Sequence, residues 1–265
     1  MEKKSGIHLR QICIVAHKLE PVLEQLKRVF GFRPCYTDPS VGGFGLRNVL
    51  LPIGTDFLEI VAPIRENTAA SRYLKRRGGD GGYMVICQVR RQKEQEAVRS
   101  NAERIGVRVA WESKTGEFNC MQFHPGDMGG AFFEVDWDFN EDLLGSWHPA
   151  GGFGWTDDNH VGNVRKIRGV RIQSLKPEKL GSHWSNVSGI PLCTQGGQIS
   201  LPFLNADLQF VNVNDNRGDG LSEIDFEVTR SNEIFKRADK EKLLAQDKKI
   251  CIGGIRFNIF ERTTA

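Results

Sequence analysis

Two distant stretches of this chain run in the same order, and that constrains the fold more than any single motif. "LRQICIVAHKLEPVLEQLKRVFGF" opens on the short apolar run Ile12, Cys13, Ile14 and Val15. It continues with Leu19, Val22, Leu26, Val29 and Phe30 at helical spacing, and Gly31 is placed to stop that helix. "IRGVRIQSLKPEKLGSHWSNVSGIPL" repeats the pattern: strand, proline-containing helix start, then Gly189. Gln11 to Gly31 is 20 residues, and Gly169 to Gly189 is also 20. The next segments match too, with "LPIGTDFLEIVAPI" laid out like "LPFLNADLQFVNV". The chain therefore carries an internal repeat, and each repeated unit must be one strand-helix-strand block.

Two further segments complete the pattern. "GGYMVICQV" leads into a helical stretch from about residue 93 to 105 and ends at "MQFHPGDMGGAFFEVDW". "LSEIDFEVT" leads into a helical stretch from about residue 232 to 244 and ends at "CIGGIRFNIFE". Four strand-helix-strand-strand-strand modules in two pairs are expected, an α+β chain. Between the pairs lies "DFNEDLLGSWHPAGGFGWTDDNHVGNVRK", rich in Gly and Asp and without periodicity. It reads as a linker, or else as a lid over a site. "YLKRRGGDGG" reads as a basic turn between modules.

Composition narrows the function classes. A formal net charge of +3 with no dense basic run gives no support for nucleic-acid binding. No run of about 18 apolar residues is present, so no membrane span is expected. The start "MEKKSGIHLR" has no apolar segment behind its charges, so a signal peptide is not expected. Six cysteines, none in a C-x-x-C pair, sit mostly in apolar strand patterns. Free buried thiols in a reducing, cytoplasmic setting are expected.

These segments resemble the vicinal oxygen chelate superfamily. That group includes glyoxalases, methylmalonyl-CoA epimerases, extradiol dioxygenases and the bleomycin-resistance type of binding protein. The resemblance covers nearly the whole chain as paired βαβββ modules. It is sharpest in the N-terminal half, where "HPGDMGGAFFEV" looks like the epimerase-type ending and "LEPVLEQLKRVFGF" like the first helix of the family. It implies two fused glyoxalase-like domains, 1–137 carrying the candidate site and 166–265 degenerate, with 138–165 as linker. It also implies ligand positions on the strands of the first pair: Gln11, Glu59, Met84 and Glu134. Gln, Glu and Glu suit metal binding there. Met84 stands where the resemblance calls for His. In the second pair the equivalent positions are Gly169, Gln209, Glu223 and Asn258, and no metal is expected.

Strand alternation checks these positions independently. Ala131, Phe133, Val135 and Trp137 share one face of their strand, and Phe132, Glu134 and Asp136 share the other. Glu59 shares a face with Phe57 and Val61, and Gln11 with Leu9, Cys13 and Val15. Two carboxylates in one apolar cleft repel each other and resist ionisation. A divalent cation held by Gln11, Glu59 and Glu134 removes both penalties, and Zn, Ni, Mn, Fe, Co or Mg all accept oxygen donors. Such an ion polarises a carbonyl and stabilises an enediolate. The reading is a metal-dependent lyase or isomerase acting on a small carbonyl substrate, with Glu134 and Glu59 catalytic and Phe57, Met84 and Phe132 lining the substrate pocket. The modules pair within the chain or across a homodimer.

Two alternatives stand beside it. In a metal-free binding protein, Phe57, Phe132, Trp147, Phe153 and Trp155 supply an aromatic cleft. An extradiol-type dioxygenase is disfavoured, because that chemistry uses two His and one Glu on iron. The histidines read as structural: His8 opposite Gln11, His17 on a loop, His124 in the turn before Glu134, and His148, His160 and His183 in the linker or third module. Arg171, Gln173, Glu223, Asp225, Glu227 and Arg256 read as a salt-bridged, solvated face.

Overall fold

The structure, a computed structural model, describes residues 6–155, 162–245 and 247–262. His160 lies outside them. The first half of the chain runs β1 (Ile7–Val15), α1 (Leu19–Phe30), β2 (Leu46–Ile53) and β3 (Asp56–Pro63), then α2 (Ala69–Arg77). It continues with β4 (Gly81–Val89), α3 (Gln92–Arg104), β5 (Val109–Lys114), β6 (Phe118–Phe123), α4 (Pro125–Met128) and β7 (Phe132–Asp138). The second half runs β8 (Val164–Ser174), α5 (Pro177–Ser188), β9 (Cys193–Gln195), β10 (Gln198–Pro202) and β11 (Asp207–Asn212). It ends with β12 (Gly220–Val228), α6 (Ser231–Lys240), β13 (Ile250–Ile252) and β14 (Ile255–Glu261). The class is α+β, built from the four modules that the repeat implies. Gly31 and Gly189, the residues that fix the repeat, both end their helices in the left-handed conformation, at φ 79° and 73°.

Each half of the chain makes one seven-stranded sheet. The strand orders are β2-β3-β1-β4-β7-β6-β5 and β13-β14-β12-β8-β11-β10-β9. In the first and fourth modules the strand after the helix shrinks to one bridge, Tyr36 to Leu50 and Leu244 to Ile250. In the first module the cause is local. Asp38 caps a 3-10 turn over Pro39–Phe44, accepting from the Ser40 N–H at 2.8 Å, and this turn takes the place of an extended run.

The chain divides into two compact units. One comprises Met1–Gln11, Tyr83–Gly145 and Gly169–Leu221, and the other Ile12–Gly82, Ser146–Arg168 and Ser222–Ala265. In the first unit α3 packs on α5, and the Asn101 side chain donates to the Val187 carbonyl at 3.4 Å. Phe133 of β7 sits between Phe123, at 5.9 Å, and Trp184 of α5, at 5.0 Å between ring centroids. Gln95 of α3 donates to the Asn119 and Val135 carbonyls at 2.9 and 2.8 Å. The Phe133/Val135 face of β7 is thus the helix-covered face, as alternation requires. In the second unit α1 packs on α6, with Phe30 against Phe226 and Phe257 and an Arg28–Glu241 ion pair at 3.2 Å.

Two sequence expectations are corrected. The basic "YLKRR" stretch is not a turn but the end of α2. Thr68 caps this helix by accepting from the Ser71 N–H at 3.0 Å, and Ala70, Tyr73 and Leu74 bury one of its faces. The polar face of the second sheet is salt-bridged but not solvated. Glu223 is 3% exposed and accepts from Lys249 at 3.0 Å, Arg256 at 3.1 Å and Asn258 at 2.8 Å. Asn258 also donates to buried Asp225 at 2.7 Å. Two cations and an amide stabilise carboxylates that would otherwise be expensive to bury.

Candidate metal centre

The stretch "HPGDMGG" aims β7. His124 caps the one-turn helix α4, its Nδ1 accepting from the Gly126 N–H at 3.2 Å. Arg108 grips Asp127 through two hydrogen bonds of 2.7 and 2.9 Å, and that guanidinium holds the Asp127 carboxyl well below the usual carboxylate range. The Trp184 indole donates to the Gly129 carbonyl at 3.2 Å. Gly130 has φ 79°, and a Cβ there would lie 2.5 Å from Ile172 Cγ2, so only glycine passes.

Beyond this turn, Glu134 lies on the face of β7 opposite Phe133 and is 4% exposed. In the parallel β4–β7 register Met84 pairs with Phe132, Ile86 with Glu134 and Gln88 with Asp136. On the other side of β7 the antiparallel register pairs Gln122 with Glu134 and Asn119 with Trp137, which sets Cys120 beside Asp136. Cys120, Glu134 and Asp136 are all buried, and one ligand atom from each lies within 4.8 Å of the others. Asp136 is fully buried, and neither of its carboxylate oxygens has a hydrogen-bond partner among the described residues.

The electrostatics follow from that packing. Burial, and then the neighbouring Glu134 charge, push the Asp136 carboxyl well above the usual range; the Cys120 thiol and the Met121 N–H nearby moderate the shift. Burial, then Asp136 and Glu134, push the Cys120 thiol far up.

The other sequence-derived positions are also buried. Gln11, on β1 in the same unit as Glu134, is 2% exposed. Glu59, on β3 in the second unit, is 6% exposed and accepts from Asn48 Nδ2 at 2.6 Å. Asn48 Oδ1 in turn accepts from the Asp38 N–H at 2.9 Å, which fixes the amide so that its NH2 faces Glu59. Met84 is buried and paired with Phe132, which packs edge-on against Tyr83 at 4.8 Å. Phe57 is fully buried and meets Trp155 edge-on at 5.2 Å. Trp147 is buried while Phe153 is exposed, so the linker aromatics do not act as one set.

The structure thus joins Met84 to Phe132, Phe57 to Trp155, and Glu134 to two groups that no motif marks, Cys120 and Asp136. The face shared by Glu134 and Asp136 is legible from alternation; the position of Cys120 needs the β6–β7 register. Sequence reasoning also misses the Asn48 contact, although a lone amide in the apolar run "NVLLPI" is the signal that marks it. It misses Arg10 as well. That residue is fully buried and donates to Gln88 Oε1 at 2.8 Å, the Leu143 carbonyl at 2.6 Å and the Gly145 carbonyl at 3.0 Å.

No family model matches the chain, and no curated protein matches it in sequence. Solved structures do match. A mutant of 4-hydroxymandelate synthase from Streptomyces coelicolor superposes with a TM-score of 0.68 at 12% identity, covering 91% of this chain and 76% of that one. The Mn(II)-bound glyoxalase from Novosphingobium aromaticivorans gives a TM-score of 0.64 at 11% identity, covering 97% of this chain and 83% of that one. A hypothetical protein from Staphylococcus aureus gives 0.63 at 12% identity, covering 97% of this chain and 100% of its own length. The chain has the fold of the vicinal oxygen chelate superfamily, in duplicated form, as the resemblance of its motifs implied. At these identities the likeness carries the fold and not the chemistry. Among the described residues, no helix is long and apolar enough to cross a membrane.

Proposed function

We propose that the protein is a metal-dependent lyase or isomerase of glyoxalase or epimerase type, acting on a small carbonyl compound, with Glu134 as its general base. The observation that carries this reading is a buried Glu134 on the sheet face turned away from the helices, in a glyoxalase-like fold. The donor chemistry fits a divalent cation. Glu134 and Gln11, in one unit, offer buried oxygens, and the buried Asp136 beside Glu134 marks a place where positive charge is missing. Met84 adds no hard donor and instead shapes an apolar wall with Phe132.

When bound, the cation supplies Lewis-acid polarisation of the substrate carbonyl. Glu134 takes the proton from the carbon next to that carbonyl and returns it to one side or the other. The strand holds the carboxylate in place because Phe133, on its reverse face, is locked between Phe123 and Trp184. Gln11 orients the carbonyl side of the substrate. A cytoplasmic setting is part of the proposal and is supported by six free cysteines.

The test is deuterium incorporation followed by NMR, with the hemithioacetal of methylglyoxal and glutathione and with methylmalonyl-CoA as probes. Exchange at the carbon next to the carbonyl is expected in at least one, and Glu134→Gln should slow it by about 10²–10⁴-fold, the usual contribution of a general base. Absence of exchange in both probes, with Zn²⁺, Ni²⁺ or Mn²⁺ supplied, overturns the enzyme reading. A second reading, a non-catalytic binding protein of the bleomycin-resistance type, draws on the edge-on pairs Tyr83–Phe132 and Phe57–Trp155. It predicts stabilisation by planar apolar ligands irrespective of added metal.

A further inference from the structure

Cys120 and Asp136 have no role in the proposed proton transfer, yet they stand against its central residue. Three features set them apart from an ordinary acidic cluster. First, the three groups lie on adjacent antiparallel strands, so the β6–β7 register fixes their approach without relying on a loop. Second, all three are buried, with relative exposures of 5%, 4% and 0% for Cys120, Glu134 and Asp136. Third, neither buried Asp136 oxygen makes a hydrogen bond of normal geometry among the described residues, and one of them lies within 4.8 Å of a ligand atom of Cys120 and one of Glu134. An unsatisfied buried carboxyl costs roughly 1–3 kcal/mol even when neutral, and more when charged, so a fold that keeps one has a reason to keep it.

We propose that Cys120, Glu134 and Asp136 form a three-donor site for a thiophilic divalent cation such as Zn²⁺ or Co²⁺, with a fourth position left open. The proposal rests on the reading of Glu134 as part of the functional centre and specifies its metal class. Zinc-to-sulfur bonds of about 2.3 Å and zinc-to-carboxylate bonds of about 2.0–2.2 Å place donors around one tetrahedral ion roughly 3.3–3.8 Å apart. Donor atoms within 4.8 Å of one another reach that spacing with small side-chain rotations. The sulfur decides the preference: a thiolate selects zinc or cobalt over magnesium or manganese, which take all-oxygen sites. Loading releases the thiol proton to solvent, because the thiolate is the form that ligates the ion. Three protein ligands leave one position for water or a substrate oxygen, the arrangement of catalytic rather than structural zinc. Gln88, beside Asp136 on β4, is already committed to Arg10 and donates to the Asp142 carbonyl at 3.4 Å, so it does not compete for the site.

Cobalt substitution tests this in the full chain. Protein purified without chelators is assayed for metal, then stripped and titrated with Co²⁺ while the near-ultraviolet sulfur-to-cobalt charge-transfer band is followed. About one Co²⁺ per chain and a charge-transfer band are expected. Cys120→Ser should abolish the band, Asp136→Asn should weaken Co²⁺ binding at least tenfold, and Cys193→Ser and Cys251→Ser should leave the band intact. The wild-type band and the ¹¹³Cd chemical shift of the cadmium form report sulfur ligation even where a variant folds poorly. Stoichiometric Co²⁺ binding with no band, lost in Glu134→Gln and Gln11→Ala but unchanged in Cys120→Ser, overturns the thiolate site and leaves the oxygen-donor enzyme reading standing. A sulfur-ligated metal in a protein that exchanges no substrate proton supports the site and sinks the enzyme reading. Failure of Co²⁺, Zn²⁺ and Cd²⁺ to bind stoichiometrically overturns the proposal.

Discussion

Replacing Asp136 by Asn should make the metal-free protein more stable at neutral pH. The substitution preserves shape and removes only the ability to ionise. In the fold the Asp136 carboxyl is fully buried, and burial together with the Glu134 charge raises its pKa above that of the unfolded chain. A group raised in this way stabilises fully only below its unfolded pKa, and the contribution is lost as pH climbs toward the folded value. Each pH unit by which the folded value exceeds the unfolded one is worth about 1.36 kcal/mol. The Asn amide brings its own burial cost of roughly 1–3 kcal/mol, so the net gain expected at pH 7 is what the raised carboxyl costs beyond that. It should fade toward pH 4, where the aspartate is protonated in both states. Urea denaturation midpoints in chelator at pH 4.5, 6 and 7.5 measure it. With Zn²⁺ at a thousand times the wild-type Kd the gap should narrow or reverse, because wild type gains RT ln(1 + [L]/Kd), about 4.1 kcal/mol, and the weaker-binding variant gains less. Parallel pH profiles for the two proteins in chelator would refute the account of Asp136 as a buried, uncompensated carboxyl.

Substitutions at four further positions have outcomes that stability measurements can check. Arg10→Leu strands Gln88 Oε1 and the Leu143 and Gly145 carbonyls, so a loss of about 3 kcal/mol or more is expected; limited proteolysis should then cut residues 139–147 faster at unchanged protease concentration. Gly130→Ala should cost about 3 kcal/mol or more in chemical denaturation, because a Cβ at φ 79° meets Ile172 Cγ2 at 2.5 Å. Gly116→Ala, at φ 88° in open space, should cost only the backbone strain of about 1–2 kcal/mol. Asn48→Ala removes the donor 2.6 Å from Glu59 and should cost about 1–3 kcal/mol in chemical denaturation, whereas Asn48→Asp sets two carboxyls at contact and should cost more.

The sequence by itself determined what is local. The 20-residue spacing to Gly31 and Gly189 marks two helix ends that only a left-handed residue can make, and both are found. Alternation along β7 separates Phe133, locked under α5, from Glu134 on the other face, because side chains on a strand alternate whatever the strand pairs with. The four-module order and the α+β class follow from such local periodicities. Tertiary structure decided what depends on pairing. Cys120 joins Glu134 and Asp136 only through the β6–β7 register, which the capped His124 turn between those strands helps to set. Asn48 finds Glu59 across the β2–β3 hairpin, and Arg10 reaches carbonyls more than 130 residues away. "YLKRR" became a helix because Thr68 capped it and one face found cover. A strand's alternation is fixed by its own backbone, but the neighbours of each face are chosen by register and burial across the whole sheet, and no window of sequence contains that choice.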